Sequence, residues 1–187
     1  MADFVYFTVT GYDRVLQSDY TDAGGEPDFG VITALVTFTP NIAVIEAVHL
    51  TPATTVLLQP IRGRIEEDGK LKTLDSAPLY YVDGDTRNAI PTDPNPDHGP
   101  LRPVFVDGDP AYWTDENGNH FEPPSGTPVY GVRLLANSEA VGPLPSLTYH
   151  VEYSHAVYDG QPRTIPSFTF AAPATDVTLD LATLTRL

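Results

Sequence analysis

In residues 30–39, GVITALVTFT, the side chains of Ile32, Ala34, Val36 and Phe38 fall on one side of the chain and those of Thr33, Thr37 and Thr39 on the other. Successive side chains of an extended chain point to opposite faces, so this period of two marks a half-buried β-strand. In 147–156 the pattern recurs: Tyr149, Val151 and Tyr153 oppose His150, Glu152 and Ser154. Helical spacing is almost absent from the 187 residues. A chain patterned in this way must bury one face of each strand against another sheet, which restricts it to an antiparallel sandwich or barrel.

Candidate strands rich in Val, Ile, Thr, Tyr and Phe lie at 4–10, 30–39, 43–50, 54–66, 70–74, 78–82, 129–136, 147–156 and 166–171, as a pleated half-buried surface prefers. AVIEAVHL at 43–50 fits two turns of amphipathic helix equally well. Most of the 19 prolines fall at strand ends or in loops, where a missing N–H costs little. The expected fold is all-β, an antiparallel β-sandwich of immunoglobulin-like or jelly-roll-like type, one domain over 1–187. Ile32, Val36, Phe38, Ile65, Tyr149, Val151, Phe168 and Phe170 are its expected core.

Residues 83–128 break the rhythm. They are rich in Pro, Gly and Asp, with two apolar islands at Val104-Phe105-Val106 and Ala111-Tyr112-Trp113. A stretch of this length inside a compact domain is a functional loop, a disordered segment or a small structured excursion, and the islands favour an ordered insertion. Tyr112 and Trp113 are candidate interface anchors, with Asp107 and Asp109 as candidate acidic partners. Residues 176–187 read as a C-terminal arm or a short helical turn.

With 25 acidic and 10 basic residues the formal net charge is −15. Such a surface repels nucleic-acid backbones and anionic lipid, and favours cations or a basic protein face. There is no cysteine, which removes disulfides, zinc-thiolate sites and cysteine nucleophiles and fits synthesis in a reducing cytoplasm. No apolar run reaches the length of a membrane helix, and MADFVYFTVTGYD lacks the basic start of a secretory signal.

The chemistry-bearing patterns are sparse. In DENGNHFE, 115–122, Asp115, Asn117 and Asn119 alternate like the start of a calcium loop. The glycine is misplaced, however, and no acid stands at the twelfth position; turn formation explains the same residues. Calcium is therefore the one ion considered, and no other cofactor is expected. His150 and His155 fall on opposite faces of one strand unless a bulge intervenes, and His49, His98 and His120 lack metal-ligand spacing. No G-x-S-x-G elbow and no phosphate-cradling glycine loop is present, so catalysis is not expected.

In IRGRIEEDGKL, 61–71, Asp68-Gly69 closes a hairpin between two alternating runs. The stretch reads as a framework hairpin whose tip residues Glu66, Glu67 and Asp68 are solvated.

In order along the chain, GVITALVTFTP (30–40), RGRIEEDGKL (62–71), GVRLLAN (131–137), LTYHVEYSHAVYDGQPRTIPSFTFAAP (147–173) and DVTLDLATLTRL (176–187) resemble a domain of minor tail and baseplate-type proteins of tailed, siphovirus-like bacteriophages of actinobacteria. The likeness covers most of 30–82 and 129–187 and leaves out 83–128. It implies a non-enzymatic virion structural protein at the tail tip or baseplate. Such a protein is made in the host cytoplasm, assembles with itself and other tail proteins, and can contribute to host attachment. Two alternatives stand beside it: a capsid decoration or head-fibre protein, and a carbohydrate-binding module for host-envelope glycan using Tyr112, Trp113 and loop carboxylates.

Overall fold

The computed structural model describes residues 4–11, 14–17, 28–47, 53–93, 97, 99–141 and 146–187, and the chain is all-β. The first strands are β1 (Tyr6–Thr10), β2 (Arg14–Gln17), β3 (Asp28–Val31), β4 (Thr33–Pro40), β5 (Val44–Ala47), β6 (Thr54–Leu57), β7 (Ile61–Ile65) and β8 (Leu71–Thr73). Then come β9 (Tyr80–Asp83), β10 (Thr86–Asn88), β11 (Arg102–Val106), β12 (Asp109–Thr114), β13 (His120–Phe121) and β14 (Thr127–Val129). The last are β15 (Val132–Leu135), β16 (Thr148–Tyr158), β17 (Gln161–Pro162), β18 (Phe168–Ala171) and β19 (Thr178–Asp180). The chain divides into two compact units, Met1–Lys72 with Gly131–Leu187, and Thr73–Tyr130.

The first unit is sandwich-like. A six-stranded sheet runs β17-β16-β4-β7-β8, with β18 also paired to β16, and a three-stranded sheet runs β15-β1-β19. Antiparallel register sets Val36 opposite Tyr153 on one side and Gly63 on the other, and Phe38 opposite Val151 and Ile61. Each period-two strand thus turns one apolar file inward. Phe7 and Val9 of β1, with Val132 and Leu134 of β15, meet Val36, Phe38, Ile65, Tyr149, Val151, Phe168 and Phe170 in one core. All eight expected core residues are buried.

Several expectations change in detail. Residues 54–66 form two strands with Leu58, Gln59 and Pro60 between them. In 43–50 the extended alternative holds for Val44–Ala47, paired antiparallel with β6, and His49 lies outside the described residues. A β-bulge between Ser154 and Val157 shifts the register of β16 against β4, with His155 at φ 53°. In 176–187, Thr178–Asp180 is a strand that pairs in parallel with β1, followed by a turn closed by the Thr183 N–H on the Asp180 carbonyl.

The second unit extends beyond the expected 83–128 to Thr73–Tyr130. It holds two small antiparallel sheets, β10-β9-β14 and β11-β12-β13. Its interior is aromatic: Tyr81, Trp113 and Tyr130 are buried. Short strands between Asp-Gly and Asn-Gly turns carry little aliphatic surface, and these large rings supply the apolar area that such strands lack.

Candidate interaction surface

The β11–β12 hairpin projects an exposed tip that carries apolar side chains. Asp107 (φ 53°) and Gly108 (φ 89°) form a two-residue turn with both centres left-handed, the geometry that matches strand twist in a tight hairpin. Val106 and Asp109 face each other across it, and the ladder shifts by a residue between Val104 and Phe105. Phe105 is 36% and Val106 55% exposed, and Asp107 and Asp109 are exposed beside them. Two apolar side chains are thus exposed to solvent next to two carboxylates, with Val106 directly across from Asp109.

The surrounding unit is strongly acidic. Residues 73–130 contain ten of the 25 acids and only two of the ten bases, Arg87 and Arg102. Arg87 lies 4.9 Å above the ring of Tyr80. The β9–β10 turn carries Asp83 and Asp85, and the loop after β12 carries Asp115 and Glu116. Charge of one sign concentrated on small hairpins sets up a field that attracts a basic face and repels acidic ones.

The structure separates the expected interface residues. Asp107 and Asp109 sit on the exposed tip. Tyr112 is half-buried and stacks on His120, ring centroids 4.4 Å apart at 28°. Trp113 is only 2% exposed, packed in the interior of its unit, so its ring is neither an anchor nor a flat sugar platform on this surface. Burial raises the pKa of the Tyr81 phenol there, with the Trp113 indole pulling the other way.

Asp115 is also placed differently from a cation ligand. It is 6% exposed. Its Oδ1 accepts the backbone N–H groups of Asn117 (2.9 Å) and Asn119 (2.8 Å), and its Oδ2 accepts Asn119 Nδ2 at 2.6 Å. The carboxylate faces N–H donors that close the loop, where calcium would need converging oxygens. Among the described residues no group of three or more His, Asp or Glu side chains can hold a metal. His150 Nδ1 instead lies 3.1 Å from Thr169 Oγ1, and His98 lies outside the described residues.

The hairpin at 61–71 is a framework element, but its tip is not simply solvated. Lys72, 5% exposed, pairs with Glu66 Oε2 at 2.8 Å and Asp68 Oδ2 at 2.9 Å, and Arg64 Nε lies 2.7 Å from Glu66 Oε1. A lysine ammonium leaves water only when its charge is matched, and these two acids match it. Glu67 and Asp68 are exposed, as expected, and Glu66 is half-buried.

No protein-family model, curated protein or solved structure matches this chain significantly. Sequence reasoning named Val104-Phe105-Val106 only as an apolar island of an ordered insertion and did not single out Phe105 and Val106 as exposed. The signal was present: Asp107-Gly108 follows immediately, and an Asp-Gly pair between two β-forming runs puts its flanking residues at a hairpin tip.

Proposed function

We propose that this chain is a virion structural subunit that acts through protein–protein assembly, in the minor tail at the tip or baseplate. The β11–β12 tip carries the reading. Exposed apolar side chains flanked by charge are the anatomy of an assembly surface, with a desolvated apolar centre and a polar rim. The acidic surround supplies a field that favours a basic patch on the partner's face. The ordered resemblance at 30–40, 62–71, 131–137, 147–173 and 176–187 supplies the address. A mass-spectrometric inventory of purified particles encoding the chain tests this reading. The expected result is a few to a few dozen copies per particle, lost when Val106→Asp is introduced; hundreds of copies would assign it to the capsid, and absence from particles would end the reading.

A further inference from the structure

We propose that copies of this chain associate head to tail, the β11–β12 tip of one copy entering an apolar cavity on the first unit of the next. The inference rests on the reading of the tip as an assembly surface and names the site that receives it.

The receiving site is a cavity of about 400 Å³ whose walls include Phe4, Tyr6, Leu57, Pro60, Leu135 and Tyr149. That volume lies in the range of sites that bury a ligand group, and it is larger than a Phe and a Val side chain together. Its apolar character continues onto the surface. Leu57 is 66%, Val44 46% and Tyr6 44% exposed, and Val44 and Leu57 are direct cross-strand partners. A small molecule filling the cavity would leave this rim in water. A protein segment would cover both, as contiguous exposed apolar surface requires.

Charge selects the occupant. Arg133 is exposed and lies 5.7 Å above the ring of Tyr6; among the described residues no acid pairs with it. In a chain of net charge −15, a guanidinium left over an aromatic wall of an apolar cavity calls for a carboxylate beside an apolar side chain. The tip offers that combination. Cross-strand pairing sets Val106 against Asp109, while Phe105 and Asp107 adjoin them. The tip and the cavity lie on different units of the chain. Each copy therefore carries one tip to give and one cavity to receive, and where the two contacts are not made reciprocally within one pair, repetition builds a ring or an open filament. One hairpin tip buries little area, so the contact is weak between free molecules and gains from the high local concentration of an assembling particle. Mutual repulsion of acidic copies further opposes it at low ionic strength and is screened as salt rises.

Analytical ultracentrifugation of the full chain over a range of concentration and salt tests the inference. Wild type is expected to gain mass with concentration, more steeply at moderate salt. Val106→Asp and Leu57→Asp, both at exposed positions, should each weaken association by at least about tenfold. Mixed in equal amounts, these two variants should form a heterodimer and nothing larger, since one intact tip and one intact cavity remain. Arg133→Asp should weaken association, and combining it with Asp109→Arg should restore it. Wild type that stays monomeric at every concentration and salt, or a mixture that fails to pair, overturns the inference. If wild type is monomeric while Val106→Asp still blocks entry into particles, the tip meets a different protein and only the self-association fails. If wild type associates but is absent from particles, the virion reading fails and the contact stands.

Discussion

The Tyr149 hydroxyl donates a 3.0 Å hydrogen bond to the main-chain carbonyl of Leu135, tying the six-stranded sheet to β15 in the opposite sheet. Tyr149 is 2% exposed; its ring meets Phe7 edge-on at 6.1 Å and stacks on Phe170 at 5.9 Å. Burial opposes the phenolate and pushes the pKa up to about 12, the bond to Leu135 pulling back and the nearby Tyr6 adding to the rise. The folded chain therefore holds a proton that the unfolded chain releases near pH 10. Stability from this group is intact below about pH 10 and declines through about pH 12. Tyr149→Phe should cost about 1–2 kcal/mol near neutrality, because the Leu135 carbonyl stays buried without its donor. It should also flatten the fall in melting temperature above pH 10 relative to wild type. Equal alkaline slopes for the two proteins would show that another group controls that limb.

Phe38 and Phe170 are 0% and 1% exposed, from different strands of one core. Either one replaced by Ala loses transfer energy and leaves a cavity. A loss of about 3–5 kcal/mol is expected in denaturant unfolding. A change below about 1 kcal/mol at both would mean that the sandwich is packed differently.

Lys72 makes the hairpin at 61–71 sensitive to charge. Burial alone would lower the pKa of its ammonium, but hydrogen bonds and charge from Glu66 and Asp68 outweigh it and the net direction is upward. The pair's contribution is fully present below pH 10.5 and fades as pH rises through the raised pKa. Lys72→Met leaves Glu66 and Asp68 facing each other, and a loss of about 1–3 kcal/mol is expected. Glu67→Ala, at the same tip with an exposed side chain, should stay within about 0.5 kcal/mol. Equal effects in thermal melts would mean that the ammonium is solvated after all.

The first unit was legible in the sequence because alternation is a strong local signal. Ile32, Val36, Phe38, Tyr149 and Val151 could be assigned to the core without knowing their neighbours. What alternation does not carry is pairing at a distance: nothing in TLD at 178–180 announces a parallel strand against Tyr6–Thr10. The second unit was obscured by its composition. Its strands are two to six residues long and interrupted by proline and glycine, so turn chemistry hides the period. Trp113 illustrates the limit. Its neighbours suggest an interface anchor, yet it is 2% exposed, and Ile90 and Leu101 line a cavity beside it.

Gly126 and Gly84 separate two demands on glycine in the second unit. Gly84 has φ 60° and open space where a Cβ would stand, whereas Gly126 has φ 111° and would set a Cβ 2.3 Å from the Val82 carbonyl oxygen. Gly84→Ala faces only the left-handed penalty, about 1–2 kcal/mol. Gly126→Ala must in addition displace β9 backbone, so it should be the more destabilising of the two and open the segment 73–130 to limited proteolysis. Equal protease resistance of the two variants would mean that β9 can move aside without cost.

Asp115 yields the test that distinguishes a turn from a metal loop. Three donors from Asn117 and Asn119 converge on its buried carboxylate. Asp115→Ala removes both acceptor oxygens at once and leaves three loop N–H donors to seek water, so a loss of about 1–3 kcal/mol is expected. Asp115→Asn keeps one acceptor oxygen but turns an amide N–H₂ toward those same donors, and should recover only part of the loss. Calcium should change neither melting temperature nor tryptophan fluorescence in wild type, because binding would have to break the three bonds that already order the loop. A calcium-dependent rise in melting temperature that Asp115→Ala abolishes would show that the loop reorganises around an ion, with Asp115 turned from a cap into a ligand.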